Sequence, residues 1–480
     1  MMDFVNRQPA DAFGDLLRRY RVDSGLTQED LAERAAISAR TVSDIERGLR
    51  SRVYRHTARR LADALQLDGR QREAFERAAR RTTISAAPFA PNVPAPLTRL
   101  IGRDAELAAV VAALRSGEVR VVTVVGPGGI GKTRLALEAA TELARSFADG
   151  AHFVSLAVTG DPSLVPSLVA RQLGLASVRK PMEEALRDLL REREMLLVLD
   201  TFEHLLAAAA FIADLAVACP RLAFLVTSRA ALRIRGEHEI PLAALAVPEH
   251  AADVADLARY SATALFLERA RAVKPGLALD SASAAMVVQI CRRLDGLPLA
   301  IELAAVRVRH MPLAALQAAL DHRLDVLVGG PRDVPPRHQT MRNAIAWSHE
   351  LLPPPIQRLF RTLSVFAGGW TLAAAESIFD AGARGLVEEM ATLVDSNLVA
   401  IDETNGEQPR FRMLDVIREF ATEQAEAQAE TEDLSRRHAA LFANLAEATE
   451  RAQGDAPQEA RYRRLQVEQD NMRAALVWAV

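Results

Sequence analysis

The sequence predicts a multidomain chain: an all-α module first, then an α/β domain on a parallel sheet, then helical segments. Three observations predict it. Residues 11–81 place apolar side chains at helical spacing. From residue 100 short apolar strands alternate with helices, the pattern of a parallel sheet buried on both faces. One of those strands runs directly into a glycine-rich stretch, GPGGIGKT at residues 126–133.

At 480 residues the chain exceeds one core, and a prior of roughly 150 residues per domain gives about three domains. The net charge of -3 excludes a protein that coats nucleic acid along its whole length. Residues 1–81, however, hold 17 Arg against 13 Asp and Glu, a mildly basic module on an acidic body. That asymmetry suits DNA contact at one end. The two cysteines, Cys219 and Cys291, lack metal-ligand spacing and read as small buried hydrophobes. No disulfide framework, signal peptide or membrane span is visible, so a cytoplasmic location is expected. Only Lys132, Lys180 and Lys274 are lysines, against 56 arginines, which makes the lysine of the glycine-rich stretch more telling.

In the first module, Thr27 can cap a helix from residue 28 to about 35, with Asp30 completing an imperfect capping box. Ala36 and Ile37 form a turn. Ser38 can cap a second helix, residues 39–47, ended by Gly48. Leu31, Ala32, Ile37, Val42 and Ile45 would pack between the two. This is the helix-turn-helix layout, whose second helix enters the major groove. Residues 13–67 resemble the phage-repressor/Cro type, the XRE family, except that Ala36 stands where that family usually has glycine. The resemblance implies double-stranded DNA as partner of residues 1–81. Ser38, Ala39, Arg40 and Ser43 would face bases, and Gln28, Thr41 and Arg47 would make phosphate or positioning contacts. A helical protein-interaction module is the alternative. Residues 82–98, with four prolines and no charge, read as an extended linker.

The second domain reads as strands at residues 121–125, 152–156, 195–199 and 222–226, with a helix over 132–146. In the loop, Gly126, Gly128, Gly129 and Gly131 let backbone N–H groups converge on an anion, and the following helix adds its positive end. Ile130 and Arg134 complete the candidate set for ATP or ADP. Lys132 would reach the β- and γ-phosphates, and the Thr133 hydroxyl is placed to ligate Mg²⁺. Such a loop predicts an apolar strand ending in an acid. The sequence MLLVLD at 195–200 supplies it, making Asp200 the candidate magnesium carboxylate. Thr201 follows where a second acid would stand. Glu203 is then the nearest residue to orient a water, or else a solvated acid at a helix start. Arg229, at the tip of the fourth strand, could sense the γ-phosphate or be an ordinary surface arginine.

Residues 255–325 read as helical throughout. Residues 340–425 are helical with one hairpin, 398–401 and 410–413, turning at Asn405-Gly406. Residues 426–480 are charged, Ala-rich and helical.

Together these pieces resemble the NB-ARC family within the STAND class of signalling ATPases, over roughly residues 98–425. Leu100-Ile101-Gly102-Arg103 looks like the segment that cradles adenine there, which places Leu100 and Ile101 among the cofactor-binding candidates. Asp200 and Arg229 match its Walker B and sensor 1 positions. GLPL at 296–299 matches a motif whose proline, here Pro298, packs on the nucleotide. RHQTM at 337–341 and LSVFAGGW at 363–370 resemble the winged-helix segment of bacterial regulators. FRMLD at 411–415 aligns with the MHD motif, with Leu414 in place of the histidine that contacts the β-phosphate of ADP. Residues 468–480 look like the start of a TPR-like array.

The resemblance implies six parts: an XRE-type helix-turn-helix domain (1–81), a linker (82–98), a P-loop nucleotide-binding domain (99–250), a helical domain (251–330), a winged-helix domain (331–425) and helices opening a repeat array (426–480). It implies an ATP/ADP-gated transcription regulator that self-associates in its ATP state under an inducing ligand or protein, with at most slow hydrolysis. The alternatives are a signalling or defence ATPase whose first module recruits protein, and a high-turnover ATPase.

Overall fold

The computed structural model describes residues 13–47, 55–69, 71–75, 92–175, 180–249, 253–331, 333, 335–379, 383–402, 409–451 and 465–480. The expected helix stop at Gly48, the Asn405-Gly406 turn and most of the linker lie outside them. The chain divides into two compact units, residues 1–90 and 91–480.

In the first unit, α1 (Phe13–Asp23), α2 (Gln28–Arg34), α3 (Ala39–Glu46) and α4 (Arg55–Ala64) enclose a small core. Phe13, Leu17, Leu31, Ala32, Val42, Ile45, Leu61 and Phe75 are buried in it, and Ile37 packs partly buried at its edge. The capping box at α2 is complete rather than imperfect. The Asp30 backbone N–H donates to Thr27 Oγ1, and the Thr27 N–H donates back to Asp30 Oδ2 at 2.9 Å. Ser38 caps α3 by accepting from the Thr41 N–H at 3.1 Å. Between the two helices Ala36 takes a left-handed φ of 49°. A Cβ there strains the backbone, and glycine would not. Ala36→Gly is expected to stabilise this unit by about 0.5–1 kcal/mol, read as a higher midpoint for its unfolding in urea.

The second unit is built on a five-stranded parallel sheet in the order β2-β3-β4-β1-β5. The strands are β1 (Val121–Val125), β2 (Ala151–Ser155), β3 (Met195–Asp200), β4 (Leu222–Ser228) and β5 (Glu237–Pro241). Every residue of β1, β3 and β4 is buried, as a parallel sheet covered on both faces requires. The covering helices include α5 (Asp104–Arg115), α6 (Lys132–Leu143), α7 (Val165–Gln172), α8 (Met182–Leu190) and α9 (Ala209–Ala218). The strand β5 was not expected. It is an edge strand, EHEIP, with only Ile240 buried, so it lacks the apolar signature of its neighbours. At the other edge, the Phe153 N–H donates to Asn92 Oδ1 at 2.8 Å, which occupies an open backbone group of β2. Residues 92–98 therefore belong to this unit rather than to a free linker.

Beyond the sheet stand α10 (Ser261–Val273), α11 (Ser281–Arg293) and α12 (Pro298–Arg307). Next come α13 (Met341–Glu350) and then a winged-helix arrangement: α14 (Pro354–Thr362), β6 (Trp370–Thr371), α15 (Leu372–Ile378), α16 (Ala383–Asp395), β7 (Ala400–Asp402) and β8 (Arg410–Arg412). The expected hairpin is the β7–β8 pair, and β6 joins it as a third antiparallel strand. The chain ends in α17 (Asp415–Ala427), α18 (Thr431–Arg451) and α19 (Gln469–Ala479). The last is tied down by buried Asn471, which accepts from the Ala367 N–H at 2.7 Å and donates to Gly369 O at 2.8 Å. No helix among the described residues is long and apolar enough to cross a membrane.

Candidate functional site

The glycine-rich stretch leaves the C-terminal end of β1, where the sheet order reverses between β4 and β5, a position at which α/β sheets bind ligands. Gly126, Gly129 and Gly131 all have positive φ, and α6 begins at Lys132 directly behind them. A cleft of about 340 Å³ opens over the loop. Gly128, Gly129, Ile130, Gly131, Lys132, Thr133 and Arg134 line it on one side, Leu100, Ile101 and Pro298 on another, and Glu203 and Arg229 on a third. Sequence and structure thus agree on which of these residues converge. Two candidates stand behind the lining. Gly126 faces Ile130 and Leu242, and Asp200 is buried behind Thr133.

The Lys132 ammonium donates to Gly126 O at 2.6 Å and Pro127 O at 3.0 Å, folding back over the loop. Its desolvation pushes its pKa down to about 8. Asp200 Oδ1 accepts from Thr133 Oγ1 at 2.6 Å and Thr227 Oγ1 at 2.7 Å. Its Oδ2 accepts from Thr201 Oγ1 at 3.1 Å. Thr201 holds φ at 66°, a strained conformation for a β-branched residue. It is fixed there by its N–H donating to Thr227 Oγ1 at 2.9 Å. Thr227, unnoticed in the sequence, therefore organises both Asp200 and the strained Thr201.

Glu203 and Arg229 form a buried ion pair, Nε to Oε1 at 3.2 Å. Burial opposes the Glu203 charge, but Arg229 and Lys132 outweigh it and hold the carboxyl below its usual range. Arg229 also donates from Nη2 to Ala344 O in α13 at 3.2 Å. Its backbone oxygen accepts from Asn397, just beyond α16. Its Nη1, and Nη2 of Arg134, are buried with no hydrogen-bond partner. Unsatisfied buried donors cost free energy, and an anion would satisfy them.

These features fit a nucleotide phosphate chain: a glycine cradle, a lysine on backbone carbonyls, and buried guanidinium donors without partners. Thr133 and Asp200 offer hard oxygen donors in mutual contact, as Mg²⁺ prefers. Among the described residues no cluster of three His, Cys, Asp or Glu could hold a metal by itself.

The rim is set by close packing. Arg103, buried beside Ile101, donates to Ala243 O at 2.8 Å and Ile130 O at 3.3 Å, and pairs with Glu106. The Leu299 N–H donates to Gly129 O at 3.1 Å, so the first turn of α12 rests on the loop.

The MHD-like segment lies elsewhere. None of residues 411–415 lines the cleft. Leu414 instead precedes α17, and Asp415 pairs with Arg323 at 2.9 Å. Ala344 O of α13 stands close over Gly128 of the loop and accepts from Arg229. Beside Asp415, Asp295 sits at φ 52° with its Oδ2 accepting from the Val416 N–H at 3.3 Å. Burial, then the Asp415 charge, pushes its carboxyl up to about 6. A raised acid pKa lowers stability as pH climbs through 3.8 to about 6, and the cost is complete above that. Asp295→Asn keeps the acceptor and suits a left-handed φ. It is expected to add about 1–2 kcal/mol at pH 7.5 and little at pH 4, measured by thermal unfolding.

In the first unit Ala39, Arg40 and Arg47 are exposed on or beside α3, and Thr41 and Ser43 are half-buried. Arg40 is 91% exposed in its side chain, with Asp44 4.0 Å away. Two expected contact residues are also engaged within the fold. Gln28 Nε2 donates to Glu46 Oε2 at 2.6 Å, joining the Arg21–Glu46 ion pair, so its amide is engaged inside the fold. The Ser38 hydroxyl is used by the cap and by Thr41 Oγ1 at 2.8 Å.

Comparison with known proteins places these parts. A helix-turn-helix domain matches residues 12–75, an AAA ATPase domain residues 99–328, and a winged helix-turn-helix domain residues 352–426. The chain belongs to the family of multidomain ATPases that carry a helix-turn-helix domain before, and a winged helix-turn-helix domain after, the ATPase domain. It is 38% identical over 366 residues to a Mycobacterium tuberculosis protein named "Putative HTH-type transcriptional regulator", covering 75% of this chain and 40% of that one. A second M. tuberculosis protein, uncharacterized, is 34% identical over 71% of this chain and 85% of its own length. Regulatory protein AfsR of Streptomyces coelicolor is 31% identical over 78% of this chain and 38% of that one. The chain thus spans about two-fifths of the length of the named regulators it matches.

Proposed function

We propose that the chain is a DNA-binding transcription regulator of the STAND type, gated by ATP and ADP. One observation carries the gating. Arg229 joins the cleft to the winged helix: it pairs with Glu203, donates to Ala344 O, and its carbonyl holds Asn397. Whatever draws the Arg229 guanidinium toward the phosphates must disturb its hold on α13. A nucleotide shifts such an equilibrium only through unequal affinity for the two arrangements, and Arg229 supplies that inequality.

In this reading Lys132, the loop N–H groups, Arg134 and Arg229 hold the phosphates. Thr133 and Asp200 hold Mg²⁺, whose charge would polarise the terminal phosphate. Leu100, Ile101 and Pro298 pack on the base. Glu203 is ion-paired and Thr201 replaces a second acid, so hydrolysis is slow and serves to reset the switch. An inducing ligand or protein biases nucleotide exchange in the cytoplasm. The ATP state self-associates, pairing helix-turn-helix domains on half-sites roughly one helical turn apart. Ala39, Arg40, Thr41, Ser43 and Arg47 contact the DNA. The names of the mycobacterial and Streptomyces relatives support the regulator reading.

A gel shift with genomic fragments tests the DNA half. Specific binding that Arg40→Ala with Arg47→Ala abolishes is expected. No specific binding with either nucleotide would move the first module to protein recruitment, the signalling or defence reading.

A further inference from the structure

Among the cations that line the cleft, Arg337 is the one from beyond the ATPase domain of residues 99–328. Lys132 rests on two carbonyls, Arg103 is paired with Glu106, Arg269 with Glu302, and Arg229 with Glu203. Arg337 lines the same cleft and, like Arg99 and Arg134, has no carboxylate partner among the described residues. Its Nη2 donates to Thr201 Oγ1 at 3.2 Å, and its guanidinium lies 5.6 Å from the centroid of the Trp347 ring. Trp347 sits on α13 and meets His204 edge-on, with centroids 5.5 Å apart. Arg337 is thus fixed from the winged-helix side and aimed at the residue next to Asp200.

The placement is costly as it stands. Arg229, whose buried Nη1 lacks a partner, is repelled by the Arg337 charge. Two guanidiniums facing one cleft destabilise each other unless an anion lies between them. Thr201, Arg229 and Arg337 gather at the tips of β3 and β4, beyond the loop that cradles the inner phosphates. In P-loop proteins that is the side on which the last phosphate of a triphosphate is read.

We propose that Arg337 is a phosphate ligand for a nucleoside triphosphate, contributed from outside the ATPase domain, and that it distinguishes triphosphate from diphosphate. This rests on the nucleotide-binding reading above. The winged helix then senses the terminal phosphate with a charge of its own, besides the contact made through Arg229.

The test is displacement of a fluorescent nucleotide by ATP and by ADP with Mg²⁺, on the full chain. Arg337→Ala is expected to weaken ATP about tenfold and ADP less than about twofold. Arg337→Lys, which keeps the charge but loses the fork, should recover part of the ATP affinity. Thr201→Ala removes the hydrogen-bond partner but leaves the charge, so it should keep the ATP preference. Equal weakening of both nucleotides by Arg337→Ala, or an equal effect of Thr201→Ala, would make Arg337 a structural staple and overturn the proposal. So would an Arg337→Ala protein that binds both as wild type does. Lys132→Ala separates the two levels: if it binds like wild type, or wild type binds neither nucleotide, the underlying reading falls as well.

Discussion

Lys132→Ala is expected to weaken both ATP and ADP by about a hundredfold or more, while the first unit stays folded. The ammonium is the one lysine in the cleft, held over the loop by two carbonyls that would exchange it for phosphate. A charge-assisted contact to phosphate contributes about 1.5–3 kcal/mol, and Lys132 would make more than one. The variant loses them all and gains nothing in return. The first unit has its own buried core. Isothermal titration with each nucleotide, paired with unfolding of the first unit, reads both halves. Unchanged ATP affinity would remove the phosphate role of the loop.

Gly296→Ala is expected to destabilise the second unit by about 3 kcal/mol or more. Gly296 has φ of 64°, and an added Cβ would lie 2.3 Å from the backbone oxygen of Leu245. Neither side can yield, because the Leu245 N–H donates to Gly296 O at 3.0 Å and both segments are anchored in the core. The glycine therefore lets the turn before α12 press against the segment after β5, which sets Leu299 on Gly129. Pushing that turn away should weaken nucleotide binding along with stability. Gly174→Ala is the control. Its φ is 70° with nothing within 4 Å, so only backbone strain remains, about 1 kcal/mol. Thermal unfolding midpoints that fall equally in the two variants would show that the close approach has no consequence.

Where sequence and structure agree, the signal was local. The phosphate loop, the three wholly buried strands and the capped helices of the first unit each carry their own pattern within a dozen residues. What stayed hidden depends on long-range packing. The strand β5 has one buried side chain, and β6 has two residues, so neither has a period to detect. Asn92 reads as part of a Pro-rich linker until β2 appears beside it. Gln28 reads as a phosphate or positioning contact, and its bond to Glu46 of α3 shows only in the fold. The site shows the same division. Lys132, Thr133 and Asp200 were legible because one motif spans a strand, a loop and a helix. Ala344 and Arg337 were not assigned to the site, because they meet Arg229 and Thr201 across more than 100 residues of sequence. That none of residues 411–415 lines the cleft was hidden for the same reason: the order of motifs does not fix which segment faces the loop.

The coupling of nucleotide to DNA is tested most directly by fluorescence anisotropy on an identified genomic site. The affinity of the full chain for that site would be measured with ATP and with ADP at fixed salt, because phosphate contacts make such affinities salt-dependent. At least about a tenfold tighter complex with ATP is expected, and Arg229→Ala should bring the two affinities together. Equal DNA affinity with ATP, with ADP and without nucleotide would contradict a nucleotide-gated regulator.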